Sequence, residues 1–150
     1  MDDVAGSEDE DVVVTPSAEG AADTRAQFHD AVRAPDGSWR VRTTDGAWDV
    51  SWRFLGGKAG MPPMRNPFDM EVEVRSAADG TPFAGTLRAD AAMPQHGHGM
   101  NVRPAVKATG PGAWTVEPML LHMPGRWELA LDLAWPDGRV RRLQTRLELE

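Results

Sequence analysis

The sequence predicts an all-β protein, an immunoglobulin-like antiparallel β-sandwich preceded by a disordered acidic N-terminal tail. About seven short segments alternate apolar and polar residues, and each is bounded by Gly, Pro or Asp turn signals. The length of 150 residues suits one domain that buries its own core. The chain contains no cysteine, which excludes disulfides, thiolate metal sites and cysteine nucleophiles. Because the Cys-Trp-Cys pattern of antibody domains is therefore missing, only the architecture is predicted.

Residues 1–24 are predicted to form the disordered acidic tail. They carry eight of the 23 acidic residues, no Lys or Arg, and few large apolar side chains. The other 15 acidic residues stand against all 16 basic ones, so the body is close to neutral. No nucleic-acid partner is expected, because phosphate binding needs a basic surface. No run of 18 apolar residues occurs, so no transmembrane segment is predicted, and no signal peptide is recognisable.

Residues 25–65 are predicted to be an N-terminal extension of the sandwich, built of three parts. Apolar side chains four residues apart favour a short helix over residues 21–34. Strand-like alternation between Asp-Gly turn signals predicts a hairpin over residues 38–54. The Gly- and Pro-rich residues 56–64 predict a loop, since proline cannot donate to a sheet. Residues 38–150 are expected to form one compact unit.

Residues 66–150 are predicted to form the body of the sandwich. Apolar and polar residues alternate with a period of two in most of this region, as in half-buried strands. The alternating segments are residues 68–75, 83–91, 102–108, 114–116, 127–135 and 143–149. Val140 is out of phase with Leu143, which predicts a β-bulge between them.

Two short segments, residues 93–100 and 121–125, concentrate side chains that can bind a metal ion. They hold three of the four histidines and three of the eight methionines. If residues 96–100 are extended, alternate side chains share one face, so His96, His98 and Met100 point the same way. A thioether selects Cu(I), and imidazole binds either oxidation state of copper. The segments therefore predict a copper site.

The predicted ligands are the imidazoles and thioethers of both segments. They are Met93, His96, His98, Met100, His122 and Met123. Asn101 is predicted to form a hydrogen bond with a ligating imidazole without binding the metal ion itself. The alternative interpretation is structural, because methionine is an ordinary core residue and histidine in a Gly-rich loop often only meets solvent.

The two segments also resemble the YtkA-like, FixH-related family of small bacterial β-sandwich domains. The resemblance rests on residues 93–104 and 120–129 and on the turn at residues 79–82, and it extends over about residues 66–149. It implies an immunoglobulin-like fold and a periplasmic or extracellular location. It also implies an association with copper or with respiratory oxidases.

Within this resemblance, not every candidate ligand belongs to the family motif. The positions that match the motif are His98, Met100, Asn101, His122 and Met123. His96 stands where the pattern is looser, and we expect it to be an additional, local ligand.

The leading functional prediction is an extracytoplasmic copper-binding protein, for trafficking or sequestration, with a possible protein partner for delivery or assembly. The alternative is a non-catalytic immunoglobulin-like interaction domain, or an accessory subunit of a membrane or secreted assembly. An enzyme is not expected. The His96-Gly-His98 pair lacks the following Glu of cupin oxygenases, and residues 56–60 lack the Ser or Thr of a phosphate-binding loop.

Overall fold

The computed structural model describes residues 28–150, which form two antiparallel β-sheets. Ten strands are present in this part of the chain. They are β1 (Val32–Arg33), β2 (Trp39–Arg42), β3 (Trp48–Phe54), β4 (Phe68–Ser76), β5 (Thr86–Met93), β6 (His98–Gly99), β7 (Ala105–Gly110), β8 (Ala113–Met119), β9 (Gly125–Ala134) and β10 (Val140–Leu149). None of the residues from 28 onward belongs to a helix long and apolar enough to cross a membrane.

The strands are divided between a six-stranded and a four-stranded sheet. The first has the order β1-β2-β3-β4-β8-β7, and the second has the order β10-β9-β5-β6. The longest pairing joins β9 and β10, whose register runs without interruption from Gly125 opposite Leu149 to Ala134 opposite Val140. The predicted all-β fold with two antiparallel sheets is thus confirmed.

The core lies between the inward faces of the two sheets. In β9, Trp127, Leu129 and Leu131 are buried, while the residues between them are half-buried. In β4 the inward positions include Met70 and Val72, again alternating with exposed residues. Full burial of one such aliphatic side chain contributes about 1.5–3 kcal/mol, so the period-two pattern supplies most of the driving force for packing the sheets.

The N-terminal end of the described chain is extended rather than helical. Phe28 forms an isolated parallel bridge with Gln144 of β10, and Val32–Arg33 pairs with β2. The helix predicted over residues 21–34 is therefore wrong for residues 28–34, because pairing with two edge strands overrides a weak local helical pattern. Its first part, and the predicted acidic tail, lie outside the described residues.

Two further expectations concern the strands themselves. The hairpin predicted over residues 38–54 is confirmed, since Trp39 lies opposite Trp52 in the β2–β3 ladder. The bulge predicted before Leu143 is wrong, because the β9–β10 register is continuous from Val140 onward. Val140 is instead an apolar residue on the outer face, 39% exposed.

Candidate metal-binding site

The first His/Met segment forms a tight turn at the edge of the four-stranded sheet. Strand β5 ends at Met93, and the chain continues through a 3-10 turn, Pro94–His96. Gly97 then adopts a left-handed conformation with φ of 66°, which glycine reaches without steric cost. The chain returns as β6, where His98 lies opposite Met93. A proline at the start and a glycine at the end of the turn thus place the histidines at a sheet edge.

This turn corrects the expectation that residues 96–100 are extended. His96 belongs to the 3-10 turn, so it does not share a strand face with His98. The two rings nevertheless lie close together, with centroids 6.3 Å apart and planes inclined by 30°. Both side chains are exposed. His96 and His98 are therefore close because the chain reverses at the turn, and not because they alternate along one extended strand.

The second segment brings His122 to the same place. The ring centroid of His122 lies 6.3 Å from that of His98, with the planes inclined by 77°. On its other side, His122 packs edge-to-face on Trp127 at 5.6 Å. Two histidines from segments that are distant in the sequence are therefore neighbours, as a shared site requires.

One nitrogen of His122 has no hydrogen-bond partner among the described residues. It is the Nδ1 atom, which is buried. Leaving a buried polar atom unsatisfied costs about 1–3 kcal/mol, and such atoms in native proteins call for an explanation, for example a missing ion. Imidazole nitrogen is a common metal ligand, so His122 is a candidate donor.

Hydrogen bonds hold the two loops against each other. The Gln95 side-chain amide donates to the backbone carbonyl of Arg126 at 3.0 Å, which joins the first loop to the start of β9. The indole nitrogen of Trp127 donates to the backbone carbonyl of Met123 at 2.9 Å. Gln95 and Trp127 were not predicted as site residues, because nothing in the sequence indicates which distant carbonyls they meet.

The remaining candidate ligands occupy three different environments. Met93 is fully buried in the core, on the inward face of β5. Met100 and Met123 are half-buried and pack against the edge of the core. Asn101 is exposed. All three methionines therefore contact the hydrophobic core, Met93 from within it and Met100 and Met123 from its surface.

The ring separations lie near the upper limit for two imidazoles that share one metal ion. Two imidazoles that share a metal ion at a metal–nitrogen distance of about 2 Å place their centroids no more than about 6.5 Å apart. The separation of 6.3 Å between His98 and His122 is near this limit. Within the described part of the chain, no group of three or more His, Cys, Asp or Glu side chains is arranged to hold a metal ion. A third ligand would have to be a thioether, or His96 after rotation.

The shifted pKa values of the described residues belong to surface ion pairs and turns. Beside the site, Glu148 raises the pKa of Arg126 by accepting a hydrogen bond from its guanidinium at 2.7 Å. Elsewhere, a hydrogen bond from the Ser38 hydroxyl lowers the pKa of Asp36 in the turn between β1 and β2. The hydrogen bonds and ion pairs that cause these shifts join turn residues and paired strands.

Comparisons with protein-family models, with curated proteins and with solved structures found no match to this chain.

Proposed function

We propose that the protein binds copper outside the cytoplasm, as a trafficking or sequestration protein related to the YtkA-like family. The observation that carries the proposal is the 6.3 Å separation of the rings of His98, in β6, and His122, in the segment before β9. The unsatisfied Nδ1 atom of His122 supports it, because a bound metal ion would use or reorient that imidazole.

The ligand set favours copper over harder ions. His98 and His122 supply borderline nitrogen ligands, and Met100 and Met123, half-buried and close to them in sequence, are the candidate soft sulfur ligands. Carboxylate and carbonyl oxygens, which suit Mg²⁺ and Ca²⁺, are not what these segments offer. Cu(I) is expected to use the imidazoles with one thioether, and Cu(II) is expected to use the imidazoles.

We expect the His122 side of the site to be rigid and the side formed by His96 and His98 to be mobile. Trp127 packs on His122 and holds the Met123 carbonyl, so this half of the site is fixed by the core. His96, on the 3-10 turn, and His98, in β6, are exposed, so we expect their side chains to rotate towards a metal ion. Without a cysteine thiolate, we expect exchangeable rather than closed binding, which suits metal transfer.

The alternative function, a non-catalytic interaction domain, is favoured by one observation. Met100 and Met123 pack against the core, and His122 packs on Trp127, so each of these side chains already has a structural contact. In that case the exposed His96–His98 turn would be a contact surface for another protein.

Competitive titration of the purified protein with Cu(I) and Cu(II), against chromophoric chelators, tests the proposal. We expect one copper ion per chain, with affinity lowered at least tenfold in His98→Ala and in His122→Ala. His29→Ala is the matched control, because it removes one imidazole from a position outside the cluster, and its affinity is expected to be unchanged. Absence of stoichiometric binding, or equal affinity in all the variants, would leave the interaction domain as the better explanation.

A further inference from the structure

A proline-rich loop, residues 55–67, lies at the same end of the sandwich as His98 and His122. It joins β3 to β4, and β4 begins opposite the last residue of β8. The segment that carries His122 follows β8 directly. Loops at one end of a β-sandwich cluster in space, so the loop and this segment are neighbours. The loop carries Met61 and Met64, both half-buried, and neither belongs to the copper site proposed above.

One backbone hydrogen bond limits the distance between this loop and His122. The Arg65 amide donates to the Leu121 carbonyl at 3.0 Å. Met64 precedes the donor and His122 follows the acceptor, so standard bond lengths keep their Cα atoms within about 8 Å of each other. A thioether and an imidazole can share a metal ion across such a distance, because each metal–ligand bond adds about 2 Å to the reach of the side chain.

The loop is anchored at both ends, which holds Met64 in place. At the first end, the indole of Trp39 donates to the Gly60 carbonyl at 2.8 Å, and the Arg33 guanidinium donates to the Ala59 carbonyl. At the second end, the loop is held by the backbone hydrogen bond to the segment after β8. Two adjacent prolines lie between these anchors, and their fixed φ angles leave the chain little freedom there.

The backbone next to Met64 is strained. Arg65 has a φ of 70°, in the left-handed region that residues with a Cβ atom rarely adopt. Its side chain is exposed, so packing of that side chain does not account for the conformation. Such strain persists only where the surrounding structure fixes the backbone, and it is frequent at ligand sites. The result is that Met64 stays half-buried at the surface of the core, beside the segment of His122.

We propose that Met64 is a sulfur ligand of the copper site, contributed by a third segment of the chain. This inference rests on the proposed function, and it adds a second thioether to the imidazoles and single thioether expected for Cu(I). Because soft thioethers select Cu(I) and imidazoles serve both oxidation states, Met64 strengthens the binding of Cu(I) and not that of Cu(II). Met64 lies outside residues 66–149, so the family resemblance does not imply this ligand.

Competitive titration of the full chain with Cu(I) and with Cu(II), against chromophoric chelators, tests this ligand. Met64→Leu nearly conserves volume and removes the sulfur. We expect its Cu(I) affinity to fall about tenfold and its Cu(II) affinity to stay within about twofold of the wild type. Met61→Leu is the matched control, since it removes a half-buried thioether from the end of the same loop that is anchored at β2. Its affinity for both ions should equal that of the wild type.

X-ray absorption at the copper edge of the Cu(I)-loaded protein detects the sulfur neighbours directly. We expect fewer sulfur neighbours in Met64→Leu than in the wild type and no change in Met61→Leu. An unchanged Cu(I) affinity or sulfur count in Met64→Leu would overturn this inference and leave the site of His98 and His122 in place. Equal losses for Cu(I) and Cu(II), or equal losses in the two variants, would show a structural role and overturn it as well. Absence of stoichiometric copper binding by the wild type would overturn the proposed function, and this inference with it.

Discussion

Replacing Met93 by leucine and by alanine separates its two candidate roles, metal ligand and core residue. The side chain is fully buried on the inward face of β5, at the end of the strand, and the residue lies opposite His98 of β6. Its methyl carbon would lie only 2.8 Å from a Cβ atom added at Gly125, so the packing around it is close. A thioether in this position is expected to stabilise the fold and not to reach the metal ion.

The expected magnitudes follow from this burial. Met93→Ala removes a large apolar group and leaves a cavity, which costs about 2–5 kcal/mol. With about 4 °C per kcal/mol for a domain of this size, a loss of about 3 kcal/mol lowers Tm by roughly 12 °C. Met93→Leu nearly conserves volume, so it should cost less than about 1.5 kcal/mol while removing the sulfur.

Thermal unfolding followed by circular dichroism measures the first effect, and Cu(I) competition measures the second. We expect Met93→Leu to bind Cu(I) within twofold of the wild type, whereas Met123→Leu, the matched control with a half-buried thioether, binds more weakly. A loss of tenfold or more in Met93→Leu, equivalent to about 1.4 kcal/mol, at an unchanged Tm would show that the buried sulfur is a ligand. That result would refute the assignment of Met93 to the core.

Two further predictions concern backbone conformation and pH. Gly125→Ala should destabilise the fold by about 1–3 kcal/mol, because Gly125 has a φ of 123° and a side chain there would meet Met93. Gly138→Ala is the control: Gly138 has a φ of 95° and open space around it, so this substitution changes only the backbone strain. Urea unfolding should show a smaller loss of unfolding free energy for Gly138→Ala than for Gly125→Ala. Equal losses would show that the contact with Met93 contributes nothing. The pKa of Asp36 is lowered from 3.8, first by the Ser38 hydroxyl, so its stabilising contribution is present above pH 3.8 and is lost as pH falls through the lower, folded-state pKa. The difference in Tm between wild type and Asp36→Ala should therefore be constant from pH 7 to about 5 and narrow below 3.8; a constant difference down to pH 2 would contradict this reasoning.

The fold was predictable because alternation is a local property of the chain. Strands β4 and β9 bury every second residue along their length, and a period of two has no other regular interpretation. The short strand Val32–Arg33 was not predictable in the same way, since its pairing with β2 and the Phe28–Gln144 bridge depend on distant partners. The local pattern was also too weak to predict which face of the sheet Val140 occupies. Its outward position follows from the β9–β10 register.

For the candidate site, too, the local features were predictable and the long-range contacts were not. The sequence by itself determined the types of ligand, imidazole and thioether in two Gly- and Pro-containing segments, because residue chemistry does not depend on the fold. Only the tertiary structure decided that His98 meets His122 at 6.3 Å, that Met93 is enclosed in the core, and that Gln95 joins the loops. The reason is that a turn such as Pro94–His96 reverses the chain within three residues, and a contact between loops depends on how two sheets pack. Composition thus limits the chemistry that is possible, while packing determines which side chains carry it out together.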